Sequence, residues 1–172
     1  MKKICLVLIC LSVLYLTGCG DASPEQLLAY QIYPLRMTAD YTCGGNDYSV
    51  QIEMTAPHTG CVTYVSPPSL AGLIVSVGTG AVTLSGYGFD IPLPETGAVC
   101  DSEVICAMLS LSPDGLISTE LRDGQTPLSV ALFKSGNGNI ELMLDSSCRP
   151  LRLFASENDI TLKSMVLSEP PV

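Results

Sequence analysis

The chain has 172 residues, with 8 Lys and Arg against 17 Asp and Glu, for a formal net charge of −9. No cluster of basic groups is offered to phosphates, which excludes nucleic acid and anionic lipid as electrostatic partners. The length suits one domain with one core.

Lys2 and Lys3 open the chain, and the uncharged run ICLVLICLSVLYL covers residues 4–16. That run is too short to span a bilayer, which takes about 20 apolar residues. A positive start, an apolar middle and small residues at the end are the layout of a secretory signal, and residues 1–18 are set aside from the fold on that ground. The signal ends in Leu16-Thr17-Gly18-Cys19, which looks like a bacterial lipobox. A thiol is needed at the last position because the cysteine sulfur takes the diacylglycerol before the signal is cut ahead of it. Cys19 is therefore the expected lipid-attachment residue, and more than one acyl chain gives stable membrane attachment. Cleavage removes Lys2, Lys3 and no acid, leaving 6 Lys and Arg against 17 Asp and Glu, a net charge of −11 over residues 19–172. The expected location is the outer face of the cytoplasmic membrane, or the outer membrane in a cell with two, because Gly20 supplies no retention aspartate after the lipidated cysteine.

With Cys5 and Cys10 in the signal and Cys19 on lipid, the chain keeps Cys43, Cys61, Cys100, Cys106 and Cys148. An odd number cannot all pair within one chain, and no C-x2-C spacing of the zinc type occurs. Mostly unpaired, partly buried thiols are expected. One or two disulfides stay open, with connectivity unreadable.

Residues 19–23 read as a tether and 24–167 as one domain, with 168–172 as a tail. Ser23-Pro24-Glu25-Gln26 has the form of a helix start, with Ser23 as N-cap and Gln26 completing a capping box. The helix is expected to carry EQLLAYQIY and to stop at Pro34. From Leu35 the period changes to two: Leu35, Met37, Ala39, Tyr41 and Cys43 alternate with polar residues, as do Tyr48, Val50, Ile52 and Met54. With Gly44-Gly45-Asn46-Asp47 between them, 35–43 and 48–55 predict a hairpin with one wet face. Shorter strands follow at 61–66, 73–77, 81–85 and 87–91. Over 97–111 the spacing of Cys100, Val104, Ala107, Met108 and Leu111 turns helical, and Pro113-Asp114-Gly115 ends the segment. Strands resume at 116–122, 128–134, 139–144, 151–155 and 160–166.

About ten or eleven antiparallel strands with a helix inserted midway imply a mainly β fold, a large curved sheet with one apolar face that has to be covered. Two short helices cover it only if the sheet curls on itself, so a half-open barrel with helices packed into its mouth is expected.

The lipobox, a first helix ending in YQIYPL, the strand pair MTADYTCGGNDYSVQIEM, the run CVTYVSPPSLAGLIVSVGTGAVTLSGYGFDIPL and the late NIELMLDSSCRPLRLFASENDITL resemble the LolA-like lipoproteins of Gram-positive anaerobes. The superfamily includes the periplasmic lipoprotein carrier LolA, the regulator RseB and lipid-binding mycobacterial lipoproteins. The resemblance covers most of 27–167 and implies an unclosed antiparallel barrel whose concave face, lidded by helices, accepts acyl chains. LolA itself is a soluble shuttle, whereas this chain carries its own expected anchor.

Catalytic chemistry has little support. His58 lies in TAPHTG, the composition of an exposed turn, with no HExxH, Gly-x-Ser-x-Gly or carboxylate pair near it. Cys100 and Cys106 do not share a helix face, and the glycines of GTGAVTLSGYG lack a phosphate-loop lysine. No enzyme activity, cofactor or metal is expected. Two functions from different classes follow. In the first, the anchored domain binds a lipid or other apolar ligand beneath the helix 98–111, touching it through Val104, Met108 and Leu111. In the second, the cavity is filled by side chains and the acidic exterior meets an envelope protein, as in the RseB branch.

Overall fold

A computed structural model describes residues 22–78, 80–93, 100–122, 128–136 and 138–168. Cys19 and the signal lie outside these residues. Eleven strands form one antiparallel sheet that is not closed into a barrel: β1 (Leu35–Cys43), β2 (Asn46–Ala56), β3 (Thr59–Ser66), β4 (Ile74–Gly78), β5 (Ala81–Gly86), β6 (Phe89–Leu93), β7 (Leu116–Arg122), β8 (Leu128–Ser135), β9 (Gly138–Leu144), β10 (Pro150–Ala155) and β11 (Ile160–Leu167). Their order is β6-β5-β4-β3-β2-β1-β11-β10-β9-β8-β7. Each strand predicted from the period-two pattern is present, with ends moved by a residue or two.

Two meanders, β1 to β6 and β7 to β11, are joined where the first strand meets the last. Met37 faces Leu167 and Cys43 faces Ile160, with a register shift between Thr38 and Asp40. Further shifts between Pro150 and Arg152 and between Leu116 and Ser118 bend the strands locally, as an extra residue in one strand does. The β1–β2 hairpin turns on Gly44 and Gly45, both at positive φ (54° and 78°). Two consecutive residues of that kind make the tight turn whose twist matches the flanking strands. The polar face of this hairpin carries a cross-strand ion pair, Arg36 to Glu53 at 2.7 Å.

Alternation decides the core. Leu35, Met37, Ala39 and Tyr41 on β1, Val50, Ile52 and Met54 on β2, and Ile140, Leu142 and Leu144 on β9 are all buried on one side of the sheet. Two short helices lie with that side. α1 (Pro24–Leu27) is capped as predicted, Ser23 Oγ accepting from Gln26 N while the Gln26 side chain accepts from Ser23 N. It ends after one turn rather than at Pro34. Leu28 and Tyr30 are both buried while Ala29 between them is exposed, so the chain turns to send alternate residues inward. Pro34 also disfavours helical geometry at Tyr33. α2 (Asp101–Met108) is shorter than the predicted helix: residues 98–99 lie outside the described residues, and Leu109 to Leu111 have left the helix.

One close contact sets a testable limit on this packing. A Cβ built on Gly60 of β3 would lie 2.4 Å from the Glu53 carbonyl oxygen and 2.9 Å from Met54 Cα, whereas one on Gly136 meets nothing within 4 Å. Gly60→Ala is expected to destabilise the fold by about 1–3 kcal/mol, the usual cost of overfilling a packed site, and Gly136→Ala to leave it near the parent value. Urea unfolding of the two variants checks the difference.

Candidate functional site

The connection from β6 to β7 joins the two opposite edges of the sheet. The chain therefore has to cross the sheet between Leu93 and Leu116, and α2 lies on that crossing. It packs against β3 and β4 from one half and β10 and β11 from the other. Its capping box, in which Glu103 Oε2 accepts from Cys100 N at 3.1 Å, starts the helix on the apolar side of the sheet.

The expected ligand contacts Val104, Met108 and Leu111 belong to the core. Val104 is 1% exposed, Met108 0% and Leu111 6%, all in one cluster with side chains from both halves of the sheet. Ile105 and Cys106 are equally buried, so α2 is sunk into the core and is not a strip with one wet side. A helix apolar on most of its circumference is a buried helix, and the one-sided spacing read from the sequence missed Ile105 and Cys106. Among the described residues, the side chains between helix and sheet are buried in one cluster.

Polar bonds fix α2 at both ends. At its start, Tyr41 on β1 donates to Tyr64 on β3 at 3.1 Å and lies 3.4 Å from Asp101 Oδ2, while Cys43 Sγ is 3.6 Å from Asp101 Oδ1. Tyr48 stacks on Tyr41 with ring centroids 4.6 Å apart, and Tyr64 meets both rings edge-on. Burial pushes the Tyr41 hydroxyl pKa far up, reinforced by its bond to Tyr64, and burial followed by the Asp101 charge raises that of Cys43. Past its end, Ser110 Oγ donates to Cys106 O at 2.7 Å and accepts from His58 N at 2.8 Å. Tyr33 donates to Leu109 O at 3.2 Å. In the orientation that satisfies both groups, the Gln31 amide donates to Leu111 O and accepts from Leu111 N, each at 3.0 Å. His58 sits in the exposed β2–β3 turn, and only its backbone reaches the helix. Sequence reasoning placed Tyr41 and Tyr48 inward but could not join them to Asp101, because the bond spans sixty residues and no local pattern announces it.

The apolar face does not end where α2 ends. Rows of facing residues run outward from the core: Ile52, Val62, Val75, Leu84 and Ile91, then Met54, Gly60, Val77, Val82 and Leu93. Exposure rises along the first row from 2% at Ile52 to 48% at Ile91. Phe89, two residues before Ile91, shares its face. From Met54 to Pro94 the chain contains no Asp, Glu, Lys or Arg except Asp90, and Asp90 faces Ser85 on the other side of the sheet. This uncharged stretch was legible in the sequence as an absence, which a search for motifs does not register.

Cys43, Cys61, Cys100, Cys106 and Cys148 are unpaired. Among the described residues no group of three or more His, Cys, Asp and Glu is placed to hold a metal. Burial pushes the Cys106 thiol up to about 12 from an ordinary 9.0, and burial raises Tyr30 and Tyr41 as well. These groups bind their protons more tightly folded than unfolded. Their contribution is intact below the unfolded values and is lost as pH climbs through the raised folded ones. Urea midpoints are therefore expected to fall steadily above about pH 9, and iodoacetamide at pH 8 is expected to label Cys106 last of the five.

No protein-family model matches the chain, and no curated protein matches it in sequence. Solved structures with a similar backbone course include an uncharacterized conserved protein from Thermus thermophilus, 14% identical, with 88% of this chain and 90% of that one covered and a TM-score of 0.48. A LolA superfamily protein from Nitrosomonas europaea is 11% identical over 88% of this chain and 96% of that one, with a TM-score of 0.46. MucB is 15% identical over 90% of this chain, which spans 62% of MucB, with a TM-score of 0.44.

Proposed function

We propose that this chain is a membrane-anchored extracytoplasmic lipoprotein, held through lipidated Cys19, whose domain binds a lipid or other apolar ligand on the inner face of its half-open sheet. The observation that carries this reading is the incomplete cover of that face. Past β4 the apolar rows continue through Val82, Leu84, Phe89, Ile91 and Leu93, and the exposure of Phe89 (37%) and Ile91 leaves apolar area in contact with water. Each Å² of such area withdrawn from water is worth about 25 cal/mol, so an acyl chain laid beside α2 gains without displacing the helix. A longer ligand reaches Val104 and Met108 only if the helix lifts, which breaks the bonds of Asp101, Ser110 and Leu109 and opens the core.

A second reading is favoured by the buried cluster beneath α2. With Val104, Ile105, Met108 and Leu109 at 0–1% exposure, the domain is complete without a ligand. Its acidic exterior then serves to meet an envelope protein.

Native mass spectrometry of residues 20–172, purified without detergent and followed by organic extraction, tests the first reading. A stoichiometric adduct released as lipid is expected. Bare protein that takes up no added phospholipid would move the assignment to the protein-binding reading. Met108→Asp separates the two modes of lipid capture: in a folded variant, unchanged uptake puts the ligand beside the helix, and lost uptake puts it underneath.

A further inference from the structure

The chain from Ala22 to Tyr33 runs alongside the chain from Leu109 to Gly115. Tyr33 donates to Leu109 O and the Gln31 amide bonds Leu111, while α1 packs against the turn Pro113–Gly115. The two segments thus run in opposite directions, and their pairing carries the start of the domain toward the head of β7, which follows that turn. Ala22 itself is half-buried against the core. This side of the molecule is apolar where it meets water. Ile32 is 72% exposed, Ile117, two residues past Gly115, is 52% exposed, and Leu121 further along β7 is 51% exposed. β7 ends the strand order, so among the described residues no strand lies over that edge.

We infer that this side, led by Ile32 and Ile117, is the one that the domain turns to the bilayer, with those side chains resting in the headgroup layer. The inference rests on the anchoring of Cys19. The occupant follows from the length of the tether. Three steps of the chain separate Cys19 from Ala22 and reach about 10 Å at most, while the acyl chains on the cysteine lie in the bilayer. The side that carries Ala22 is therefore held at the headgroups whenever the protein is anchored, and contact there withdraws the exposed apolar area from water. Charge sets the kind of bilayer. Glu25 and Asp114 are exposed beside the apolar side chains, and Glu120 lies 3.8 Å from Arg122. Anionic headgroups repel such a side and zwitterionic ones suit it. The ligand surface of the proposed function, at Phe89 and Ile91 on β6, belongs to the other edge in strand order, so anchoring and ligand capture use different edges of the sheet.

The chain contains no tryptophan, so a single substitution makes a sole reporter. Full-length chains bearing Ile32→Trp, Ile117→Trp or, on the outer face of β3, Val65→Trp are expressed in a lipoprotein-processing host; all three positions are exposed. Acylation is confirmed by intact mass, and each protein is reconstituted into phosphatidylcholine vesicles with bromine on the upper acyl chain. Flotation shows anchoring; fluorescence shows contact. The expected result is a blue-shifted emission for both Ile32→Trp and Ile117→Trp, with quenching by brominated lipid several times that for Val65→Trp. If floated, acylated chains show equal or no quenching at the three positions, the docking side is wrong while the anchor stands. Quenching at only one of Ile32→Trp and Ile117→Trp also overturns the inference, since lipid held on the sheet as a ligand would reach Ile117→Trp alone. A blue shift that appears in detergent before vesicles are added, and grows with protein concentration, would assign this side to a second copy of the chain and overturn it too. Chains that carry no lipid and do not float would remove the anchoring reading, and this inference with it.

Discussion

The β1–β11 ladder is the contact on which the other placements depend. It pairs Met37 with Leu167 and Cys43 with Ile160, so the two ends of the domain meet in the middle of the sheet and its two edges, β6 and β7, are neighbours in sequence. A chain built this way cannot step from β6 to β7 by a tight turn. It has to cross the sheet, and the side it crosses is the apolar one, where a helix of Val, Ile, Ala and Met finds a surface to bury. The position of α2 follows from the strand order, and the alternation of each strand then decides which side chains meet it. Loop closure over such sequence distances is unfavourable until the contacts form, so the ladder and the crossing helix are expected to act as one cooperative unit.

Burial of α2 and its polar fastenings do different jobs. The apolar contacts of Val104, Ile105, Met108 and Leu109 supply most of the free energy, at about 1.5–3 kcal/mol for each fully buried side chain. They are non-directional and would tolerate a rotated or shifted helix. The bonds at the two ends remove that freedom: Asp101 to Cys43 at one, beside the Tyr41 hydroxyl, and Leu109, Ser110 and Leu111 to Tyr33, His58 and Gln31 at the other. Each is worth about 1 kcal/mol net, yet together they set the register of the helix on the sheet. Ser102 Oγ, buried with no hydrogen-bond partner among the described residues, is an opposing term of similar size.

The strands were legible because the domain has one wet face. Polar residues at every second position, as at Arg36, Thr38 and Asp40, report burial directly, and glycines mark the turns. The helices were less legible because burial in them is set by what surrounds them. α1 needed Leu28 and Tyr30 inward with Ala29 outward, which ended it early. α2 is covered on more sides than a surface helix, so Ile105 and Cys106, which break the one-sided pattern, are as buried as Val104. Val104, Met108 and Leu111 are buried, and periodicity alone cannot distinguish a side chain that lines a space from one that fills it. That distinction depends on volumes contributed by β3, β4, β10 and β11, which are remote in sequence.

Edges expose the remaining conflict in the design. An open sheet of eleven strands has two free edges, and soluble proteins protect such edges with charge, proline or cover. On β7 the protection is charge: Glu120 and Arg122 stand among exposed residues. On β6 it is Pro92 with Asp90, on a strand whose inner face is Phe89, Ile91 and Leu93. Proline stops another strand from adding to the edge but does nothing to wet the face. The two edges therefore differ in how they are closed: on one, charge stands beside the exposed Ile117 and Leu121, and on the other proline blocks backbone pairing while the face stays apolar.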